Sequence, residues 1–141
     1  MAIEKVPIHK FKNIKAGDDY INSDGKIYKN KDITSAPPKP RSYAYCSDTK
    51  YYEKIIPHIK NVDLLYHEAT FMKDKEENAI EKFHSTTVDA ANIAKKANVK
   101  KLIVGHYSAR YKNLNPLLDE VKEIFENSFL AEDGLTFNVE K

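Results

Sequence analysis

The chain has 141 residues, 31% of them charged and 41% hydrophobic, with nine Tyr, six Phe and no Trp; that length suffices for one domain with a buried core, and the composition excludes a disordered tail. Its 23 Lys and Arg stand against 21 Asp and Glu, too even a balance to indicate nucleic acid by charge alone, although the pairs Lys95-Lys96 and Lys100-Lys101 can face phosphate. The single cysteine, Cys46, excludes an internal disulfide and a cysteine-rich zinc site and fits a reducing cytoplasm, while neither an apolar span of about 18 residues nor a signal-peptide pattern is found.

Residues 1–41 carry turn signals at Gly17-Asp18, Asp24-Gly25 and Pro37-Pro38 with brief apolar runs between them. The pattern predicts short strands or a hairpin around Tyr20–Tyr28 and an extended Pro-rich linker from Ala36 to Arg41. From Ser42 the pattern becomes regular. "SYAYC" alternates like a strand, and Tyr52, Ile55, Ile56 and Ile59 follow at helical spacing, with Pro57 placed to kink or end that helix. "VDLLY" (62–66) is the next strand. A charged segment taken to be mobile then runs to "STTVDAANIAKKAN", a helix with Thr86 three residues before Asp89 as a capping signal and Ala90, Ile93, Ala94 and Ala97 as its buried stripe. "KKLIVG" (100–105) is a third strand. Asn115-Pro116 opens a helix with Leu117, Val121, Ile124 and Phe125 on one face, and "SFLA" and "LTFNV", separated by Asp133-Gly134, read as terminal strands. Alternating strands and helices imply an α/β layer around a largely parallel sheet.

In such sheets ligands bind beyond the carboxyl ends of the strands. The residues there are "SDT", "HEAT" and "GHYS", so three successive strands deliver Asp48, His67 with Glu68, and His106 to one edge. A carboxylate can bridge two cations, an imidazole can complete a zinc site, and two metals about 3.5–4 Å apart can clamp a phosphoryl group and activate water; Asp48 and His106 suit that role. Glu68 and His84 suit another, since a carboxylate that orients an imidazole makes a competent proton donor to a leaving alkoxide. Each residue also has a plainer reading. Asp48 can cap the following helix, His67 and Glu68 can be a satisfied polar loop pair, His84 can pack at a helix N-cap, and His106 can be an ordinary loop histidine. His9 and His58 read as surface residues and Cys46 as a small buried hydrophobe. No histidine-dense ligand motif is found in the chain.

The motifs "YCSDT", "DLLYHEATF", "FHSTT" and "ANVKKLIVGHYSARY", with the closing helix, resemble the C-terminal half of the ribonuclease Z family, the tRNA 3′-processing endonucleases of the metallo-β-lactamase superfamily. The likeness covers roughly residues 36–141 in order and spacing, and "IKAGDDYINSDGKIY" extends it to nearly the whole chain. It implies a fold class of α/β type, half of an αββα sandwich with a mixed sheet and flanking helices, with residues 1–41 as N-terminal strands, turns and linker and residues 42–141 as the α/β half. Residue by residue, it implies that Asp48 bridges two zinc ions and His106 ligates one. Glu68 and His84 then protonate the leaving group, and Arg110 of "HYSARY" lies near the substrate backbone, where a guanidinium suits bidentate phosphate contact.

Two departures stand out: the family's H-x-H-x-D-H motif is absent, and Ser47 stands where many members have glycine. The reading is therefore half of a zinc-dependent endonuclease that removes 3′ trailers from precursor tRNA, cytoplasmic, not membrane-bound, and inactive without the missing N-terminal half. An apolar sheet face that the other half would cover is expected to make the chain a homodimer. The alternatives are another phosphodiesterase or hydrolase of the same fold, against which the "HEAT" and "HST" pair argues, and a catalytically silent α/β module that binds RNA or a partner chain.

Overall fold

The computed structural model describes residues 6–139, which pack as two compact units, residues up to 39 and residues from 40 onward. In the first unit a 3-10 turn, Ile8–Lys10, leads into α1, Phe11–Ala16. Gly17 ends α1 in a left-handed conformation, φ 111°, with its N–H bonded back to Asn13 and Ile14. The expected hairpin follows: β1, Tyr20–Ile21, pairs antiparallel with β2, Ile27–Tyr28, and the rings of Tyr20 and Tyr28 stack 5.8 Å apart. Its turn is built by Asn22, whose side-chain oxygen accepts from the N–H groups of Asp24 and Lys26. A short helix, α2, spans Asn30–Ile33, and residues 36–41 are extended without regular structure.

The second unit is built on a parallel sheet in the order β3 (Tyr43–Cys46), β4 (Leu64–Glu68), β5 (Leu102–Gly105), β6 (Ser128–Leu130). Among the described residues, antiparallel ladders are confined to the N-terminal hairpin. One face of the sheet is covered by α4, Thr87–Lys96, and α5, Asn115–Lys122. Leu65 and Ala69 from the β4 region and Leu102 and Val104 from β5 meet Ala90, Ala91, Ile93 and Ala94 of α4 and Val121 of α5 in one fully buried cluster. The alanines let α4 lie close to the strands. At the amino ends of the strands, buried Asp63 accepts from the Ser42 N–H and hydroxyl and pairs with Lys100 at 2.6 Å; these partners hold its carboxyl below the usual carboxylate range.

The sequence-encoded start of α4 forms as a complete capping box: Thr86 Oγ1 accepts from the Asp89 N–H, and the Asp89 carboxylate accepts from the Thr86 N–H at 2.9 Å. Thr86→Ala removes one half of that exchange and is expected to cost about 1 kcal/mol. In a unit of about 100 residues this lowers the thermal midpoint by roughly 4–8 °C, and an unchanged calorimetric melt would refute the estimate.

Three expectations are corrected. The helix expected around Tyr52–Ile59 is a 3-10 turn, Glu53–His58, because Pro57 has no N–H to donate and its ring opposes the carbonyl four residues earlier; Ile59 still reaches the core. "LTFNV" is not a strand. Gly134, at φ 85°, turns the chain, and the tail crosses the open face of the sheet instead of joining its ladder, with the Phe137 ring 6.1 Å from that of Phe129 and the Val139 carbonyl accepting from Arg41. The segment taken to be mobile is structured: a 3-10 turn, Lys73–Lys75, runs into α3, Glu76–Glu81, and Phe71 forms a parallel bridge with Thr86. Its charges occupy the solvent side while Ala79 is buried.

The uncovered face is unusual for a parallel sheet, whose strands are normally buried on both sides. Tyr43, Tyr45 and Phe129 stand exposed on it, Tyr45 stacks on Tyr66 at 4.6 Å, and a trough of about 350 Å³ runs between Tyr43, Leu64, Tyr66, Ile103 and the tail. The Tyr66 ring lies over Gly105, where any Cβ would collide with it. Among the described residues, no helix is long and apolar enough to cross a membrane.

Candidate active site

Register brings the chemistry together. Cys46 pairs with His67 across β3 and β4, and Glu68 pairs with Gly105 across β4 and β5, so the segments that follow three strands emerge at one edge. Asp48 and His106 both sit just beyond their strands with left-handed backbones, φ 50° and 62°. That sharp turn is costly for residues with a Cβ and aims each side chain back over the sheet edge. Asp48 does not cap a helix: the 3-10 turn Glu53–His58 has Tyr52 as its N-cap and no side-chain cap bond, and the Asp48 carboxylate instead lies 3.5 Å from His106 Nε2 and 3.3 Å from the Ser47 hydroxyl.

His84 arrives by a different route, through the end of α3. The His84 N–H bonds to the Ala79 carbonyl and the Phe83 N–H to that of Ile80, with Phe83 left-handed at φ 59°, the paired bonds of a Schellman ending. The chain then reverses and returns the histidine to β4.

Glu68 is the anchor of the site. Its side chain is fully buried and accepts from the Thr49 N–H at 2.6 Å, the Thr70 hydroxyl at 2.7 Å, the Ser85 N–H at 3.1 Å and His84 Nδ1 at 3.0 Å. Four donors on two oxygens satisfy a buried carboxylate, which alone would be expensive to keep from water. Since Nδ1 of His84 donates to Glu68, its Nε2 is the atom free to carry or deliver a proton to whatever occupies the cleft.

Asp48, His84 and His106 each offer a ligand atom, all within 4.8 Å of one another, and the His84 and His106 rings are 5.1 Å apart. One carboxylate and two imidazoles are a donor set suited to a zinc-like divalent cation, although a closed dinuclear centre needs more ligands than these. The structure therefore joins Asp48 with His106 and Glu68 with His84 as the sequence anticipates, and adds that His84 faces both groups. Arg110 lies at the rim, its guanidinium 5.1 Å from the Phe71 ring and bonded to the Ser108 hydroxyl, while Phe71 meets His84 edge-on.

His67 takes no part. It alternates to the opposite face from Glu68, is wholly buried, contacts its neighbour's carbonyl through Nδ1, and has no partner for Nε2; burial pushes its pKa down, so it stays neutral. Cys46 is half-buried against the core, and burial raises its thiol pKa. His9 and His58 are exposed, as expected. Sequence reasoning missed Thr49 and Thr70, whose signal was the threonine closing both "SDT" and "HEAT".

Known proteins share this fold. The model of a β-lactamase superfamily domain matches residues 37–107. Ribonuclease Z from Parabacteroides distasonis is 46% identical over 135 residues, which are 96% of this chain and 44% of that protein. Among solved structures, the metallo-β-lactamase fold protein YhfI from Bacillus subtilis superposes with a TM-score of 0.62 at 27% identity, covering 67% of this chain and 38% of its own. A long-form RNase Z from yeast superposes with a TM-score of 0.56 at 35% identity, over 63% of this chain and 12% of its own. The chain thus spans less than half the length of the curated relatives it matches, 44% of the first.

Proposed function

The chain belongs to the β-lactamase superfamily, and on that premise we propose that residues 42–141 form the C-terminal α/β half of a tRNA 3′-endonuclease active site, which hydrolyses a phosphodiester to release the 3′ trailer of precursor tRNA. The fold is the α/β half expected from the sequence, shared with the relatives above. The observation that carries the reading is the convergence of Asp48, His84 and His106 within 4.8 Å over an anchored, buried Glu68. Asp48 and His106 hold the metal, zinc in this proposal and two ions in the complete site. When bound, the metal supplies a Lewis acid for the phosphate and activates the attacking water. His84, oriented by Glu68, gives a proton from Nε2 to the departing 3′ oxygen of the tRNA body. Arg110, held at the rim, places the RNA backbone through its guanidinium.

The described ligands fill only part of a dinuclear centre, so the proposal assigns the remainder to an N-terminal half and expects this chain to be inactive without it. The proposed setting is the cytoplasm, where the free Cys46 thiol would stay reduced. The test is cleavage of a precursor tRNA bearing a 3′ trailer, by this chain alone and by this chain combined with the N-terminal portion of the Parabacteroides distasonis relative. Trailer release by the combination only is expected; binding without cleavage would favour a silent RNA-binding module.

The open sheet face supports self-association. Tyr43, Tyr45 and Phe129 are exposed around the half-buried Tyr66 and form an aromatic patch on a sheet of a type normally covered. Light scattering of the purified chain is expected to give the mass of a homodimer, and Tyr45→Glu to shift it toward one chain. A monomer at working concentration would refute it.

A further inference from the structure

We propose that Thr70 is a positioning residue that fixes the tautomer of His106 and ties that ligand to the Glu68 and His84 pair; the proposal deepens the reading above and rests on its assignment of His106 to the metal. Thr70 Oγ1 lies 2.7 Å from Glu68 Oε2 and 2.9 Å from His106 Nδ1. A hydroxyl has one hydrogen, and a carboxylate oxygen can only accept. The hydrogen therefore goes to Glu68, and the contact to His106 is satisfied only if Nδ1–H is the donor. Nδ1 of His106 is thereby set as a donor, which in the neutral ring leaves the lone pair on Nε2, the nitrogen that lies 3.5 Å from the Asp48 carboxylate.

The same residue grips the loop that carries His106. The Thr70 carbonyl accepts from the Ser108 N–H at 3.0 Å, two residues beyond the histidine. His106 has a left-handed backbone and an exposed ring, whereas Thr70 is buried, so the buried residue orders the exposed one. A branched side chain suits the task, because threonine has fewer rotamers to lose than serine. Thr70 thus links two functions at opposite ends of one hydroxyl: the carboxylate that orients the proton donor accepts from it, and the metal-binding imidazole donates to it. Partners that orient a ligating histidine in this way are worth about 10–100-fold in metal affinity.

Thr70→Val removes the hydroxyl at nearly constant shape, and Thr70→Ser restores it. The first readout is ¹⁵N magic-angle-spinning NMR of metal-free, histidine-labelled chain, which distinguishes Nδ1–H from Nε2–H in any assembly state. The parent and Thr70→Ser are expected to hold His106 as Nδ1–H, with Nε2–H appearing in Thr70→Val. The second readout is zinc binding by isothermal titration, expected to weaken about 10–100-fold in Thr70→Val and to recover in Thr70→Ser. An Nε2–H His106 in the parent overturns the proposal without any variant, and so does a Thr70→Val chain with parental tautomer and zinc affinity. Neither readout uses tRNA, so failure of the endonuclease reading and failure of this one are separately visible.

Discussion

Asp48→Ala in the complete protein is expected to lower trailer cleavage by about a thousandfold or more while changing the stability of this unit little. A metal acting as a Lewis acid contributes several kcal/mol to a phosphoryl-transfer transition state, and each 1.36 kcal/mol is a factor of ten in rate. A methyl group cannot replace the carboxylate that would hold the metal. The same side chain does little for the fold. It is 73% exposed, and its described contacts are the Ser47 hydroxyl at 3.3 Å and His106 at 3.5 Å. The stability cost comes mainly from its φ of 50°, which aspartate tolerates better than alanine, at about 1 kcal/mol or less. Asp48→Asn keeps that tolerance and removes the charge, so it should melt with the parent and still be inactive. Cleavage retained by either variant sinks the metal-binding role.

Glu68→Ala is the opposite case. It is expected to destabilise the unit by about 3 kcal/mol or more, because breaking a buried charged network leaves its partners unpaired in a dry site. The Thr49 and Ser85 N–H groups, the Thr70 hydroxyl and His84 Nδ1 all lose the acceptor they share. In a unit of about 100 residues that lowers the thermal midpoint by roughly 12 °C at least. Glu68→Gln should not rescue it fully, since the amide nitrogen turns a second set of donors toward groups that already donate. Denaturant unfolding of the two variants beside the parent measures the effect. A Glu68→Ala chain as stable as the parent would mean that these donors find water instead, and that Glu68 does not hold the loops.

The two carboxylates look alike in sequence, each just beyond an apolar run and followed within two residues by a threonine. What separates them is burial: Asp48 is exposed and Glu68 is not. Strand alternation could have anticipated part of this, because His67 and Glu68 must point to opposite faces of β4. It places Glu68 away from the helix-covered core and His67 into it, as observed. Alternation cannot say that the loop before His84 folds back over Glu68, which depends on a helix ending in a non-glycine residue.

The amino-acid sequence by itself determined the strands 43–46, 64–68 and 102–105 to within two residues, the capping box at Thr86 and Asp89, the proline-led start of α5, and the types of side chain that follow each strand. These are local matters, fixed by periodicity, by φ and ψ preferences and by hydrogen bonds three or four residues apart. Only the tertiary structure decided that the ending of α3 returns His84 to Glu68, that Thr70 spans Glu68 and His106, and that residues 135–139 cross the sheet instead of extending it. Those outcomes rest on contacts between segments far apart in the chain, whose geometry is set by the parallel register and by which face of the sheet each segment must cover.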